Sequence, residues 1–375
     1  MTGTWALTRA RERIDSLGAP PSGTAPPDAM NLRRQVLAIL REVIDFDAYV
    51  WLLTDPVTTV GAAPLADVPC MPELPALIKA KYATAVNRWT ALRHPSAPVG
   101  RLSDAVDGDL ARSLVWREVM SRYAVGDVAS VVFADQFGCW GFLDLWRTDA
   151  REPFSAANAA FLASAAAPLT TALRGCQART FVAAAAEGRP SPAPVVLMLD
   201  DDLRITSRTA ASQDWLDLLL PPQPDERAIP ASVYNVAAQL LAAEAGIDDH
   251  PASTRVHLAG GFWLILRAAR LAADEPGSWP GHGDRGAATI VVTIEEASAA
   301  GRLDLFARAF GLTGREQELL GLLATGSDTR AMARQMALSE HTIQDHLKSI
   351  FTKTGARDRV TVLSRALGTR AGLRK

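Results

Sequence analysis

The chain has 375 residues, of which 48% are hydrophobic and 21% are charged, and its formal net charge at pH 7 is -2. This length predicts two or three domains, and the composition excludes a wholly disordered chain. The near-neutral charge excludes a uniformly basic nucleic-acid coat protein. Three widely spaced cysteines argue against a disulfide framework and a zinc site. Charges interrupt the N-terminus where a signal peptide needs an apolar core, and no apolar run approaches the roughly 20 residues that span a bilayer. We therefore expect a cytoplasmic protein with no membrane partner.

The first predicted domain covers residues 30–180 and follows a charged helix and a Pro/Gly-rich linker in residues 1–29. Apolar residues at helical spacing predict an amphipathic helix over Asn31–Ile44, and residues 46–53 predict a strand that ends before Pro56. Strands at Gly126–Phe133 and Cys139–Trp146 predict a hairpin, and a helix that begins after Ser155 closes the domain. This order of elements resembles a GAF sensory domain.

The second predicted domain covers residues 194–298. Strands at Val195–Leu199 and Leu203–Thr206 flank an acidic turn, Asp200–Asp202. A helical region follows, and strands at Gly261–Arg267 and Thr289–Glu295 end the domain. The order resembles a PAS-type fold. The acidic turn is interpreted as solvated and not as a metal site, because no second ligand cluster lies at a recognisable spacing. The Pro/Gly-rich stretches at 187–194 and 274–286 predict a linker and a hairpin loop.

The third predicted domain, residues 305–375, carries most of the functional information. It holds 12 lysines and arginines against 6 acidic residues, whereas the rest of the chain holds 27 against 35. A basic domain on an acidic body is typical of a nucleic-acid-binding head with a separate control region. Four short helices are predicted, with N-caps at Thr313, Asp328 and Ser339 and a fourth helix from about Asp358 to Leu367. Glu316 lies three residues after Thr313, which predicts a capping box at the start of the first of these helices.

The second and third of these helices are joined by a short turn, which predicts a helix-turn-helix. Ile343, Leu347, Ile350 and Thr354 form the buried stripe of the third helix. The opposite face presents donors and acceptors that reach base edges and phosphates, namely His341, Gln344, Asp345, Lys348 and Thr352. The residues that define this framework are Ala333, Leu338, Ser339, Ile343, Leu347, Ile350 and Gly355.

The segments Leu312–Gly326 and Leu338–Gly355 resemble the DNA-binding domain of LuxR/FixJ-type regulators. The resemblance implies that Thr342, Lys348 and Lys353 hold phosphates, that Gln344, Asp345 and Lys348 face bases, and that the fourth helix dimerises. The implied partners are double-stranded DNA, a second copy of the chain and RNA polymerase. The sequence departs from the family pattern in three places. Ala331 replaces a usual glutamate, and Gln344 and Asp345 replace a usual lysine and an apolar residue, so the base preference is left open.

Aromatic residues are concentrated in the first domain. A ligand pocket walled by aromatic rings is one interpretation, and core packing is the alternative for each residue. The candidate pocket residues are Trp51, Trp89, Trp116, Phe133, Trp140 and Trp146. Arg88 is a candidate anchor for an anion or a carbonyl group, but a surface position is the favoured interpretation.

These observations predict a multidomain α+β protein with two antiparallel-sheet domains, GAF-like and PAS-like, followed by an all-α four-helix helix-turn-helix domain. The predicted function is that of a sequence-specific, one-component transcriptional regulator associated with the nucleoid, whose front domains sense an unidentified small molecule or form a dimer platform. The alternative is a partner-docking interaction protein that the DNA-binding head localises. No catalytic residue, metal site or cofactor is predicted, because no nucleophile–base pair, HExxH motif or paired carboxylates are recognisable.

Overall fold

The computed structural model describes residues 2–18, 26–93, 97–148, 152–182, 194–219, 230–258, 262–271 and 289–368. These residues form two compact units. The first comprises residues 1–172, 191–256 and 264–295, and the second comprises residues 173–190, 257–263 and 296–375. The two Pro/Gly-rich stretches predicted at 187–194 and 274–286 lie almost entirely outside the described residues, as does most of the linker before Asp28.

The first sheet is antiparallel and has the strand order β2-β1-β5-β4-β3. Two helices precede it and contact each other, and three short helices connect its strands before a long helix ends this part of the chain. The elements are α1 (Thr2–Gly18), α2 (Ala29–Arg41), β1 (Ala48–Thr54), β2 (Gly61–Asp67), α3 (Leu74–Ala83), β3 (Val99–Arg101), α4 (Leu102–Ala105), α5 (Leu114–Glu118), β4 (Val125–Asp135), β5 (Gly138–Thr148) and α6 (Ala156–Thr180). The predicted hairpin is present as β4 and β5, with Asp135 opposite Gly138 at its turn.

The second sheet has the strand order β7-β6-β10-β9-β8. Its elements are β6 (Val195–Leu199), β7 (Ile205–Arg208), α7 (Ser212–Leu219), α8 (Ala231–Glu244), β8 (Ser253–Leu258), β9 (Phe262–Arg270) and β10 (Ile290–Glu296). The acidic turn is held by Asp200, whose carboxylate accepts hydrogen bonds from the backbone N–H groups of Asp202 and Arg204. Within their own strands both sheets have the order second, first, fifth, fourth, third, a structural repeat that the sequence does not reveal.

Buried polar contacts join the two sheet-bearing parts of the first unit. Arg88 lies 2.8 Å from Asp248, and these two side chains are 4% and 2% exposed. Arg255 lies 2.6 Å from Asp55, also buried. The interpretation of Arg88 as a surface side chain is therefore wrong. Its neighbour Trp89 is buried against it, and the guanidinium lies over the indole ring. Because isolated buried charges are costly, each of these arginines needs its carboxylate partner.

The second unit contains a helical bundle made of α9 (Ala299–Ala309), α10 (Gly314–Ala324), α11 (Thr329–Met336), α12 (Glu340–Thr354) and α13 (Arg359–Leu367). The last four are the predicted helices, and α9 was not anticipated. An aromatic cluster packs beside α9: Phe181 stacks on Trp263 at 5.4 Å between ring centroids and contacts Phe306 edge-on. The predicted fold class, two antiparallel sheets followed by a helix-turn-helix bundle, is confirmed.

Helix α6 differs from the expectation that no segment is apolar enough to span a bilayer. By length and composition it is long and apolar enough to cross a membrane, with a mean hydropathy of 1.3 in its most apolar 18-residue window. This signal is weak, because 44% of that window is buried inside the protein and the core helix of a globular domain passes the same test.

Candidate nucleic-acid interface

Side-chain caps and a left-handed residue set the angle between α11 and α12. The Asp328 carboxylate accepts from the N–H of Ala331 at 2.7 Å, and Ser339 Oγ accepts from the N–H of Thr342 at 3.1 Å. Between the helices, Ala337 adopts φ 53°, and the N–H of Leu338 donates back to Ala333. The chain thus reverses within the turn that the sequence predicts for a helix-turn-helix.

Helix α12 has one buried and one exposed face. The buried residues are Ile343, Leu347, Ile350 and Thr354, the stripe that the sequence predicts. His341 and Lys348 are 85% and 72% exposed, and Gln344, Asp345 and Thr352 are exposed on the same side. Gly355 ends the helix with φ 62°, a conformation that glycine adopts without strain. The α12 outer face, defined as these five exposed residues, is therefore open to a ligand.

The charges on the α12 outer face are linked to one another. Lys348 Nζ lies 3.2 Å from Asp345 Oδ1, and His341 Nε2 lies 3.6 Å from the other carboxylate oxygen. These pairs are exposed, so each contributes little to stability and can exchange for a phosphate or a base. Thr342 is half-buried, and its hydroxyl is within hydrogen-bonding distance of Ser339 Oγ at 2.9 Å.

Lys353 occupies a different environment from Lys348. Its ammonium lies 2.6 Å from Glu316 Oε2 and donates to the carbonyl of Gly311 at 3.2 Å. Glu316 also accepts from Ser349 Oγ and from the backbone N–H of Thr313, both at 2.6 Å. Burial raises the pKa of Glu316, but the hydrogen bonds from Lys353, Ser349 and Thr313 outweigh it and lower the pKa to about 2. The Glu316 carboxylate therefore links α12 to the start of α10 through these hydrogen bonds and the ion pair.

Sequence spacing revealed one half of this contact. The capping box formed by Thr313 and Glu316 is predicted and present. The pairing of Glu316 with Lys353 joins residues 37 positions apart, and no local pattern indicates it. A carboxylate at a position that the sequence pattern indicates to be buried needs a cationic or hydrogen-bonding partner. This is the one sequence signal that could have indicated the contact.

The six aromatic residues proposed as a ligand pocket do not surround one cavity. Strand alternation places Trp146 on the same face of the first sheet as Asp144, whereas Trp51 and Phe133 stack on each other, 5.2 Å apart, on the opposite face. Trp89 stacks on Phe142 at 4.8 Å. The indole N–H of Trp140 donates to Asp135 and that of Trp116 to the carbonyl of Val125. Five of these six side chains are buried, and Trp116 is half-buried.

The bundle, the turn and the α12 outer face together define a helix-turn-helix domain. The profile of the luxR family of bacterial regulatory proteins (GerE) matches residues 311–366. This C-terminal domain belongs to that family and is a DNA-binding domain, which confirms the predicted resemblance.

Three relatives share sequence with the chain. It is 34% identical over 95 residues to the probable HTH-type transcriptional regulator GfsR of Streptomyces halstedii, 25% of this chain and 39% of that protein. It is 37% identical over 54 residues to the monoamine regulon transcriptional regulator of Klebsiella aerogenes, 14% and 24% of the two chains. It is 30% identical over 63 residues to the transcriptional regulatory protein DesR of Bacillus subtilis (strain 168), 17% and 32%. The chain thus spans less than half the length of each relative.

A solved structure also matches over most of the chain. A crystal structure of Escherichia coli SdiA covers 96% of this chain and 98% of its own, with 12% identity and a TM-score of 0.31.

Proposed function

We propose that the chain is a transcriptional regulator of the one-component type, which binds double-stranded DNA through α12 and receives its signal in the first unit. The observation that carries the proposal is the α12 outer face, a row of exposed polar side chains backed by a fully buried apolar stripe. This arrangement places a helix in a major groove without exposing the core of its domain. Such a protein acts in the cytoplasm, and its activity is binding, not catalysis.

We assign two roles to the residues of α12. Gln344 and Asp345, on the α12 outer face, read base edges, because an amide pairs with adenine and a carboxylate accepts from the cytosine amino group. Lys348, on the same face, and the half-buried Thr342 hold phosphates. Lys353 positions α12 through Glu316, and its own contact with a phosphate stays a prediction.

A homodimer on DNA is the arrangement that we propose for the assembled regulator. Val360, on α13, is 62% exposed, which suits an apolar contact with a second copy. Two heads then bind half-sites about one helical turn apart, and a signal acts by changing their spacing or their release. RNA polymerase is the further partner that a transcriptional activator contacts.

Selection of bound sequences from a pool of random double-stranded DNA tests this function. The full-length protein is expected to enrich a two-fold-symmetric site, and Gln344→Ala is expected to relax one base position in each half-site. Gln213→Ala, on α7 of the first unit, is the matched control and is expected to enrich the wild-type site. A wild-type protein that enriches no sequence overturns the proposal.

A further inference from the structure

A helix outside the family profile packs on the DNA-binding domain. The profile starts at residue 311, whereas α9 covers Ala299–Ala309 and contacts both α10 and α13. The buried residues of α9 are apolar except for Arg302, which is only 8% exposed. Because burying a guanidinium is costly without partners, the contacts of Arg302 show what this side chain stabilises.

The Arg302 guanidinium lies against the C-terminal end of α13. Its Nη2 atom donates to the carbonyl of Arg365 at 3.4 Å. Gly368 ends α13 with φ 74°, and a Cβ there would lie 2.8 Å from the guanidinium carbon. Only a residue without a side chain allows this close approach. A cation at this end of a helix is also favoured by the helix dipole, so Arg302 stabilises the end of α13.

The same guanidinium lies over the ring of Phe181, 5.6 Å from the ring centroid. Phe181 directly follows α6 and belongs to the same compact unit as α9 and α13. An aromatic face attracts a cation, and more strongly where the contact is shielded from water. Phe181 is 3% exposed, so this contact is shielded. Arg302 thus touches both the segment that ends α6 and the residue that ends α13.

Neighbouring rings hold Phe181 in place. It stacks on Trp263 and meets Phe306 edge-on, in both cases 5.4 Å between ring centroids. The carbonyl of Trp263 accepts from the N–H of Ala297, just before α9, at 2.8 Å. A side chain that its neighbours already order needs no further ordering to bind a cation. The Phe181 ring is therefore a fixed surface against which Arg302 packs.

We propose that Arg302 is a positioning residue that couples the end of α6 to α13. Phe181 sets the place of the guanidinium, and the guanidinium holds α13 in the orientation that presents Val360 to a second copy. A change in α6 thereby alters dimerisation on DNA without any change in the α12 outer face. This inference rests on the proposed function, because it names the regulation of the proposed homodimer.

Binding of the full-length protein to two DNA probes tests the effect on the dimer. One probe carries the selected two-fold-symmetric site, and the other carries one half-site of it. Arg302→Met removes the charge and keeps an apolar stem. It is expected to lower the ratio of the half-site to the full-site dissociation constant by about 10-fold, an ordinary size for coupling between two sites. The half-site affinity is expected to stay unchanged, whereas a misfolded domain would lose it.

Two matched controls separate this contact from its surroundings. Arg308→Met changes another arginine of α9, which is 29% exposed and pairs with Asp304 on the same helix, and is expected to keep the wild-type ratio. Phe181→Leu removes the ring that faces Arg302 and is expected to lower the ratio. Val182→Ala changes the next residue, which is 47% exposed, and is expected to leave the ratio unchanged.

A double variant distinguishes coupling from two independent losses of stability. If Phe181 acts through Arg302, Phe181→Leu lowers the ratio no further once Arg302→Met is present, whereas independent effects add. If thermal unfolding shows Arg302→Met to be misfolded, Gly368→Asn replaces it. Asparagine tolerates the positive φ, and its Cβ displaces the guanidinium from the end of α13.

Hydrogen exchange of the peptides that cover α13, measured without DNA, tests whether Arg302 holds this helix. Exchange there is expected to be faster in Arg302→Met and in Phe181→Leu than in Arg308→Met. Unchanged α13 exchange, an unchanged ratio, or additive effects of the two substitutions overturns the proposal. A wild-type protein that binds neither probe rejects the proposed function, whereas the exchange of α13 still decides whether Arg302 couples α6 to α13.

Discussion

The Glu316 carboxylate offers the sharpest prediction about the DNA-binding domain. Glu316→Gln removes its charge, but the amide oxygen still accepts from the backbone N–H of Thr313 as a capping-box residue does. The substitution therefore isolates the ion pair with Lys353. Because Glu316 is 4% exposed, the variant leaves the Lys353 ammonium facing a neutral group in a partly buried place.

The size of the effect follows from the pKa of Glu316, which falls from 4.5 to about 2 in the folded domain. A shift of this size corresponds to about 3 kcal/mol. Lys353 is 31% exposed, so solvent screening reduces the expected loss to about 2 kcal/mol. Since the folded-state pKa is the lower one, the stabilisation is complete above about pH 4.5 and is lost as the pH falls towards 2.

Hydrogen exchange read by mass spectrometry is the suitable assay, because no tryptophan lies in residues 296–375 to report on this domain by fluorescence. Peptides that cover α10 and α12 in the full chain are expected to exchange about 30-fold faster in Glu316→Gln at pH 7. Glu318→Gln is the matched control. This substitution breaks the ion pair between Glu318 and Arg315, which are 44% and 60% exposed. It is expected to change the exchange rate by no more than about 2-fold.

Equal exchange rates in Glu316→Gln and Glu318→Gln at pH 7 would contradict a stabilising role for the Glu316–Lys353 ion pair. A difference in stability between Glu316→Gln and the wild type that stays constant down to pH 3 would contradict it too, because at that pH residue 316 is mostly uncharged in the unfolded state of both proteins.

Three further predictions follow from other parts of the structure. Asp55→Asn leaves the buried Arg255 without its carboxylate partner at 2.6 Å. It is expected to lower the free energy of unfolding of the first unit by about 3 kcal/mol, measured by denaturant unfolding with tryptophan fluorescence. A loss no larger than that of Asp202→Asn, which breaks an exposed pair with Lys79, contradicts this. Burial, and then the charge of Arg302, lower the pKa of His257 to about 4. The stability that depends on neutral His257 is therefore present above pH 6.5 and falls by about 2 kcal/mol at pH 5; unfolding of His257→Gln with an unchanged pH dependence excludes this role. Asp345→Asn removes a negative charge from the α12 outer face and is expected to tighten binding to non-cognate DNA a few-fold at low salt, as measured by filter binding; unchanged or weaker binding places Asp345 away from the phosphates.

Local signals predicted the DNA-binding domain in most of its detail. Each of the four predicted helices begins within a few residues of its predicted start. The apolar spacing of Ile343, Leu347 and Ile350 indicates the buried side of α12. The exposed face follows by geometry, so its residues were accessible to reasoning from the sequence. The family resemblance added the expected roles, and the match to residues 311–366 supports its domain assignment.

Contacts between distant segments were not predictable in the same way. The ion pairs Glu316–Lys353, Arg88–Asp248 and Asp55–Arg255 join residues that are 37, 160 and 200 positions apart, respectively. The local sequence around one partner gives no indication of the other. For the same reason the aromatic residues of the first domain could be counted but not placed. Strand alternation and register decide which face each ring occupies, and a one-residue change in register reverses that assignment.

DNA binding by α12 is tested most directly by a salt-controlled titration of the selected DNA site with full-length wild type, Lys348→Ala and Lys79→Ala. Lys348 is 72% exposed on the α12 outer face, whereas Lys79 is an exposed lysine of the first unit. Lys348→Ala is expected to weaken binding by about 1–3 kcal/mol and to reduce the salt slope by about one, and Lys79→Ala is expected to change neither. Equal affinities and salt slopes for all three proteins would contradict DNA binding by α12.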